Sequence, residues 1–175
     1  TLLRGGPSFV LPGTVNTYLN LTTDSRKKLS AELTASIDKG FNNYFHSNYY
    51  SLGLIYKPIN ALSLSLYPGY TTGHDDLQYI DKLWNAAATS ETEEYRYVMA
   101  KLDRKVIILS ARFNFNITPD ISVQFWGQPF LFTGKYSEYK YITNSRANKY
   151  SDRFQILSGK EIGRYYSQNS DDFYY

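Results

Sequence analysis

Between Lys28 and Asp38 every second residue is aliphatic: Leu29, Ala31, Leu33, Ala35 and Ile37 alternate with Ser30, Glu32, Thr34, Ser36 and Asp38. An extended strand turns successive side chains to opposite faces, whereas a helix would scatter the same residues around its circumference. This stretch therefore reads as a strand with one aliphatic and one polar face. A slip of one residue would exchange the two faces, so the register is tightly specified.

The same period runs through much of the chain. Upstream, Thr14 to Thr22 sets Val15, Thr17, Leu19 and Leu21 against Asn16, Tyr18 and Asn20, and the polar turn Thr23 to Lys27 joins the two strands as a hairpin. Asn48 to Lys57 carries Tyr50, Leu52, Leu54 and Tyr56 on one face, and after a tight turn at Pro58 to Asn60, Leu62, Leu64 and Leu66 oppose Ser63 and Ser65. Lys105 to Thr118 places Ile107, Leu109, Ala111, Phe113, Phe115 and Ile117 opposite Ser110, Arg112, Asn114 and Asn116, with Ile108 the one exception. Beyond Thr118-Pro119-Asp120, Ile121, Val123 and Phe125 oppose Ser122, Gln124, Trp126 and Gln128, and the pattern fades near Pro129 to Gly134. These six strands predict an all-β fold, an antiparallel up-and-down meander.

Two weaker extended pieces, Leu77 to Trp84 and Tyr95 to Leu102, flank the polar linker Asn85 to Glu94 and are expected to prolong the fourth and fifth strands into a tall hairpin. The Ala and Glu content of Ala86 to Glu94 also allows a short helix there. Lys135 to Tyr175 is polar, Tyr-rich and expected to be rich in loops. Short turns at Thr23 to Lys27, Lys57 to Ala61 and Thr118 to Asp120 alternate with long connections at Lys39 to Ser47, Tyr70 to Arg104 and after Gly134. In an antiparallel meander all short turns then fall at one end, the asymmetry of outer-membrane barrels.

Composition narrows the chemistry. With no Cys among 175 residues, a disulfide scaffold, a thiolate metal site and a cysteine nucleophile are excluded. The 19 Lys and Arg are offset by 16 Asp and Glu, a balance that does not imply nucleic acid. No run of about 18 apolar residues is long enough for a transmembrane helix. The mean hydropathy of −0.44 still allows a transmembrane β-barrel, in which only alternate residues face lipid.

Period two fits two environments equally well. In a soluble β-sandwich the aliphatic face meets a second sheet, and in a membrane barrel it meets acyl chains. A strand of about 11 residues tilted about 45° spans the lipid-facing band of such barrels, and Tyr50 and Tyr56 bracket Leu52 and Leu54 as an aromatic girdle would. The barrel reading makes Leu29, Ala31, Leu33, Ala35, Ile37, Leu52, Leu54, Leu62, Leu64, Leu66, Ile107, Leu109, Ala111, Phe113, Phe115, Val123 and Phe125 lipid-facing. It makes Ser30, Glu32, Thr34, Ser36, Ser63, Ser65, Ser110, Arg112, Asn114, Gln124 and Gln128 lumen-facing.

A series of short motifs bears on the choice. Leu3-Arg-Gly-Gly-Pro7, Thr23-Asp-Ser-Arg-Lys27, Tyr67-Pro68 with Leu77-Gln-Tyr79, Arg96-Tyr-Val98 with Leu102-Asp-Arg104, and Pro119 to Gln124 with Gln128-Pro-Phe130 follow one another along the chain. In this order they resemble the domain of unknown function 5916 family, whose members look like Bacteroidota outer-membrane barrels. The resemblance implies a bacterial outer-membrane location, lipid as surroundings, and a longer protein with an N-terminal module similar to carbohydrate-binding domains. It also implies further strands after the segment equivalent to Asp171-Asp-Phe173. Six strands are fewer than the eight of the smallest single-chain barrels, so other chains or further parts of this one are expected to complete the wall, with residues 1–175 a single barrel segment. Surface glycan binding or transport within an envelope complex is the expected role. The other expectation is a soluble carbohydrate-binding β-sandwich with Tyr-rich loops.

No catalytic constellation or cofactor motif stands out. His46 and His74, 28 residues apart, are expected in two different loops as Tyr-flanked surface residues, and Asp75-Asp76 in a solvated loop. Glu32 and Asp38 lie about 20 Å apart along one strand, too far for a paired-carboxylate glycosidase, and are expected to pair with Arg112 or with cations of further strands. Arg4-Gly-Gly-Pro7 reads as a turn, and Arg26-Lys-Lys28 as a solvated turn. Tyr49-Tyr50, Tyr139 to Tyr141 and Tyr165-Tyr166 carry rings that stack on sugars or pack at interfaces. The expectation is a protein segment that is not an enzyme.

Overall fold

A computed structural model describes residues 2–84, 95–159 and 161. Strands β1 (Thr14–Thr22), β2 (Leu29–Gly40), β3 (Phe45–Ile59), β4 (Leu62–Trp84), β5 (Tyr95–Thr118), β6 (Ile121–Gly127), β7 (Phe130–Ile142) and β8 (Phe154–Ile156) lie in one sheet. The order is β1-β2-β3-β4-β5-β7-β8, with β6 also paired to β5. The fold is therefore all-β and, over its first five strands, a meander in which each strand pairs with its chain neighbour. Among the described residues the sheet is open and no second sheet lies over it. No helix among them is long and apolar enough to cross a membrane, which says nothing about crossing with strands.

Two compact units divide the chain, one of residues Thr14–His74 and Asp103–Lys135, the other of Thr1–Gly13, Asp75–Leu102 and Tyr136–Tyr175. In the first, pairing follows the alternation. Leu21 sits opposite Leu33, and Leu33 opposite Leu52, while Asn16 meets Asp38 and Asn20 meets Thr34 on the other face. The aliphatic side of this unit is uncovered: Leu29 is 60% exposed, Leu33 43%, Leu52 44%, Ile107 52% and Phe125 62%. Ile37, Leu54, Leu64, Leu66, Leu109 and Val123 are exposed as well, and Ala31, Ala35, Leu62, Ala111, Phe113 and Phe115 are half-buried. The polar side is the more withdrawn one. Ser30 is buried, and Glu32, Thr34, Ser36, Ser63, Ser65, Ser110 and Asn114 are half-buried, whereas Arg112, Gln124 and Gln128 are exposed.

The second unit has the buried aliphatic core. Leu3, Leu77 and Met99 are almost fully enclosed, and Tyr79, Tyr97, Tyr150 and Phe154 pack against them. Val98, Met99 and Ala100 are buried in succession, so both faces of β5 are covered here. Arg153, itself buried, donates to the carbonyls of Val10 (2.6 Å) and Ala147 (2.7 Å) and so satisfies loop carbonyls. The Arg4-Gly-Gly-Pro7 turn forms as expected, with the Gly6 amide donating to the Leu3 carbonyl at 3.0 Å.

Several expectations need correction. Lys39 to Ser47 is not a long connection, since β2 runs to Gly40 and β3 starts at Phe45. The corner between them is a short 3-10 turn in which Asn42 (φ 60°) and Asn43 (φ 54°) are left-handed, a conformation Asn tolerates, while the Tyr44 ring lies over Gly40. The long loop expected after Gly134 gives way to β7, whose thirteen residues begin just past Pro129. Proline cannot donate to the ladder, yet its carbonyl can accept, and Leu109 donates to it at 3.0 Å. The break at Gln128-Pro129 therefore leaves β5 partnered while separating β6 from β7. The fourth and fifth strands do continue through Leu77 to Trp84 and Tyr95 to Leu102; the linker Asn85 to Glu94 and Tyr165-Tyr166 lie outside the described residues.

Candidate functional site

The polar face of the first unit carries a groove of about 750 Å³. Its floor is set by β5, where alternation sends Arg104, Val106, Ile108, Ser110 and Arg112 to one side. One wall is built from Tyr49 and Ser51 of β3 and Ser65, Tyr67 and Thr71 of β4; Trp126, Gln128 and Phe132 line the other. Trp126 is the cross-strand partner of Arg112. Gln128 donates to Ser110 Oγ at 2.8 Å, which ties the break before β7 to the floor. Ala111, expected on the aliphatic side, also borders the groove, where β6 ends with Gly127 opposite it.

Three buried glycines permit this lining. A Cβ on Gly53 would collide with the Tyr67 ring, so the ring packs directly on the bare backbone of the neighbouring strand, a device that protects glycine in sheets. A Cβ on Gly73 would come within 2.8 Å of Arg104 Nε and 3.2 Å of its Cγ, so the guanidinium stem rests on that glycine. Ile108, the exception to the sequence pattern, packs over Gly69 and contributes an apolar centre.

Of the residues expected to be lumen-facing, Ser65, Ser110, Arg112 and Gln128 come together in this groove. Glu32, Thr34 and Ser36 belong instead to a ladder at the β1 side. Asn20 donates to Glu32 (2.8 Å) and Thr34 (3.0 Å), and Asn16 to Asp38 (2.6 Å) and Ser36 (3.2 Å). Glu32 and Asp38 thus take asparagine partners rather than the expected Arg112. Asn114 and Gln124 face each other across β5 and β6. Sequence reading missed Arg104, Tyr49, Tyr67 and Phe132 as lining, though the residue parity of Arg104 with Arg112 was visible.

His46 and His74 correct a further expectation. They lie on β3 and β4, not in loops, and their rings stack with centroids 5.1 Å apart at 13°. His74 Nδ1 lies 2.6 Å from Asp103 Oδ1 on β5. Asp75 and Asp76 are also in β4, in the second unit: Asp75 accepts from the Leu77 amide (2.9 Å), and Asp76 is held by Lys140 and Tyr150. Arg26 pairs with Asp24 through Nε (3.0 Å) and Nη2 (3.1 Å), which keeps that carboxyl below its ordinary pKa. Among the described residues no group of three or more His, Cys, Asp or Glu side chains is disposed to hold a metal ion.

Desolvation and the neighbouring His74, joined by Lys39 and partly opposed by Asp103, hold the His46 imidazole below its ordinary value of 6.5. Below 6.5 the unfolded chain therefore binds this proton more readily than the folded one, and stability falls as pH drops through that window. The unfolding midpoint is expected to decrease between about pH 7.5 and about pH 5, and His46→Gln to flatten that decrease. An unchanged slope in His46→Gln would remove His46 as its source.

The chain matches no protein-family model, no curated protein and no solved structure.

Proposed function

We propose that this chain is part of the wall of a bacterial outer-membrane β-barrel, a non-enzymatic segment that binds or passes material, glycans among it, through its polar face. The observation that carries the reading is the inverted dressing of the first unit. Most of its leucines, together with Ile37, Ile107, Val123 and Phe125, stand exposed, while Ser30, Glu32, Thr34, Ser36 and Asp38 turn to the more withdrawn side. Water makes an uncovered aliphatic sheet costly at about 25 cal/mol per Å², and patches larger than a few hundred Å² mark surfaces that meet lipid or a partner. Acyl chains satisfy such a face without a second protein layer, and the hydrogen-bonded Asn16 and Asn20 ladder keeps the opposite face polar. The open β1 edge is then closed by further strands, from this protein or from envelope partners. Tyr50 and Tyr56, 44% and 46% exposed, suit the two interfaces that such a wall meets.

Extraction tests the reading. Cell envelopes carrying the protein are expected to release it only with detergent, and the unheated protein is expected to migrate faster than the boiled one on a denaturing gel. Release by salt or alkaline wash alone, with no heat-dependent shift, would replace the barrel wall with a water-soluble sheet whose aliphatic face binds a protein.

A further inference from the structure

We propose that the groove on the polar face binds an acidic oligosaccharide lying lengthwise along β5. This deepens the reading above by naming the ligand class of the same face. Arg104 and Arg112 stand at the two ends of the floor, eight residues apart on one strand, a span of about 26 Å. That separation is too great for one carboxylate or phosphate to touch both, so the occupant is an elongated molecule with negative charge near each end. Among the described residues the groove lining includes no Asp or Glu. Alternation turns Asp103 and Lys105 to the opposite face of β5, so Arg104 and Arg112 set the charge of the floor. The charge of the site is therefore positive, and guanidinium groups favour planar oxyanions through paired charge-assisted hydrogen bonds.

Charge alone would suit any polyanion. The other lining residues select among them: Tyr67 packs against Gly53, Trp126 stands opposite Arg112, and Ser51, Ser65, Thr71 and Ser110 add hydroxyls. Flat rings offer stacking surfaces for the C–H faces of sugar rings, and hydroxyl groups exchange hydrogen bonds with sugar hydroxyls at little desolvation cost. A chain of uronic acid residues supplies both features at once, with carboxylates at intervals and pyranose faces between them.

The chain has two tryptophans, Trp84 and Trp126. In a Trp84→Phe background the fluorescence of Trp126 reports on the groove alone. Titrating this protein in detergent micelles with an oligogalacturonate is expected to change that signal saturably, and a neutral malto-oligosaccharide of equal length is expected to bind at least about tenfold more weakly. Arg112→Gln should lose about tenfold in affinity for the oligogalacturonate, with Arg112→Lys in between. If Arg112→Gln fails to fold, the salt dependence of the parent protein decides: affinity should fall steeply with added salt. Equal binding of the neutral sugar, or salt-independent binding, would overturn the inference. Equal binding of linear polyphosphate would overturn the sugar assignment while leaving a polyanion groove. Failure here leaves the detergent-extraction result untouched, and a protein that extracts without detergent yet binds oligogalacturonate would sink the wall reading and spare the groove.

Discussion

Replacing Lys140 by Met is expected to destabilise the second unit by about 3 kcal/mol, the range measured when one partner of a buried ion pair is removed. Lys140 is 1% exposed, its Nζ lies 2.7 Å from Asp76 Oδ1 and 4.5 Å from the Phe154 ring centroid, and Asp76 also accepts from the Tyr150 hydroxyl at 2.8 Å. Met fills much of the volume of the lysine stem, so the loss is electrostatic: a largely enclosed carboxylate is left with one neutral donor. The double variant Lys140→Met/Asp76→Leu removes both charges and is expected to recover most of the loss. Tyr150→Phe should cost about 1–3 kcal/mol by leaving one carboxylate oxygen without its donor. Denaturant midpoints of the single and double variants check this; a double variant no more stable than Lys140→Met would show that packing rather than charge sustains the site.

Leu33→Arg is the second substitution with a large expected effect. Leu33 lies between Leu21 and Leu52 in a cross-strand row, and it is 43% exposed. If the row faces acyl chains, an arginine there costs about 2–4 kcal/mol near the midplane, enough to lower the inserted fraction in lipid vesicles markedly. Thr34→Arg, one residue on and turned to the polar side, should be tolerated far better. The contrast between these neighbours is the readout, since a face in contact with water would accept both arginines within about 0.5 kcal/mol.

Alternation made β1, β2, β3, the first part of β4, the last part of β5 and β6 legible, because there one side is apolar and the other polar. Legibility fails where that difference disappears. Val98-Met99-Ala100 is buried on both faces, and the alternation that marks a one-sided strand is absent from such a stretch. In β7, Phe130, Leu131 and Phe132 are apolar on both sides and exposed, so no period appears there either. The corner at Asn42-Asn43 was readable in principle, since two successive Asn residues supply left-handed backbone, but the aromatic residues around it resembled a longer loop. The groove was half visible. Parity placed Ser65, Ser110, Arg112 and Gln128 on one face, whereas the stacking of His46 on His74 depends on pairing between strands whose register no local pattern announces.

The meander has a kinetic corollary. When each of the first five strands pairs with its successor, every new ladder needs only a turn or one hairpin to close, so the entropy of distant loop closure is never required before contacts reward it. Growth can then proceed one ribbon at a time from the β4-β5 hairpin outward. Among the described strands β1 is then the last on its side of the hairpin to find a neighbour.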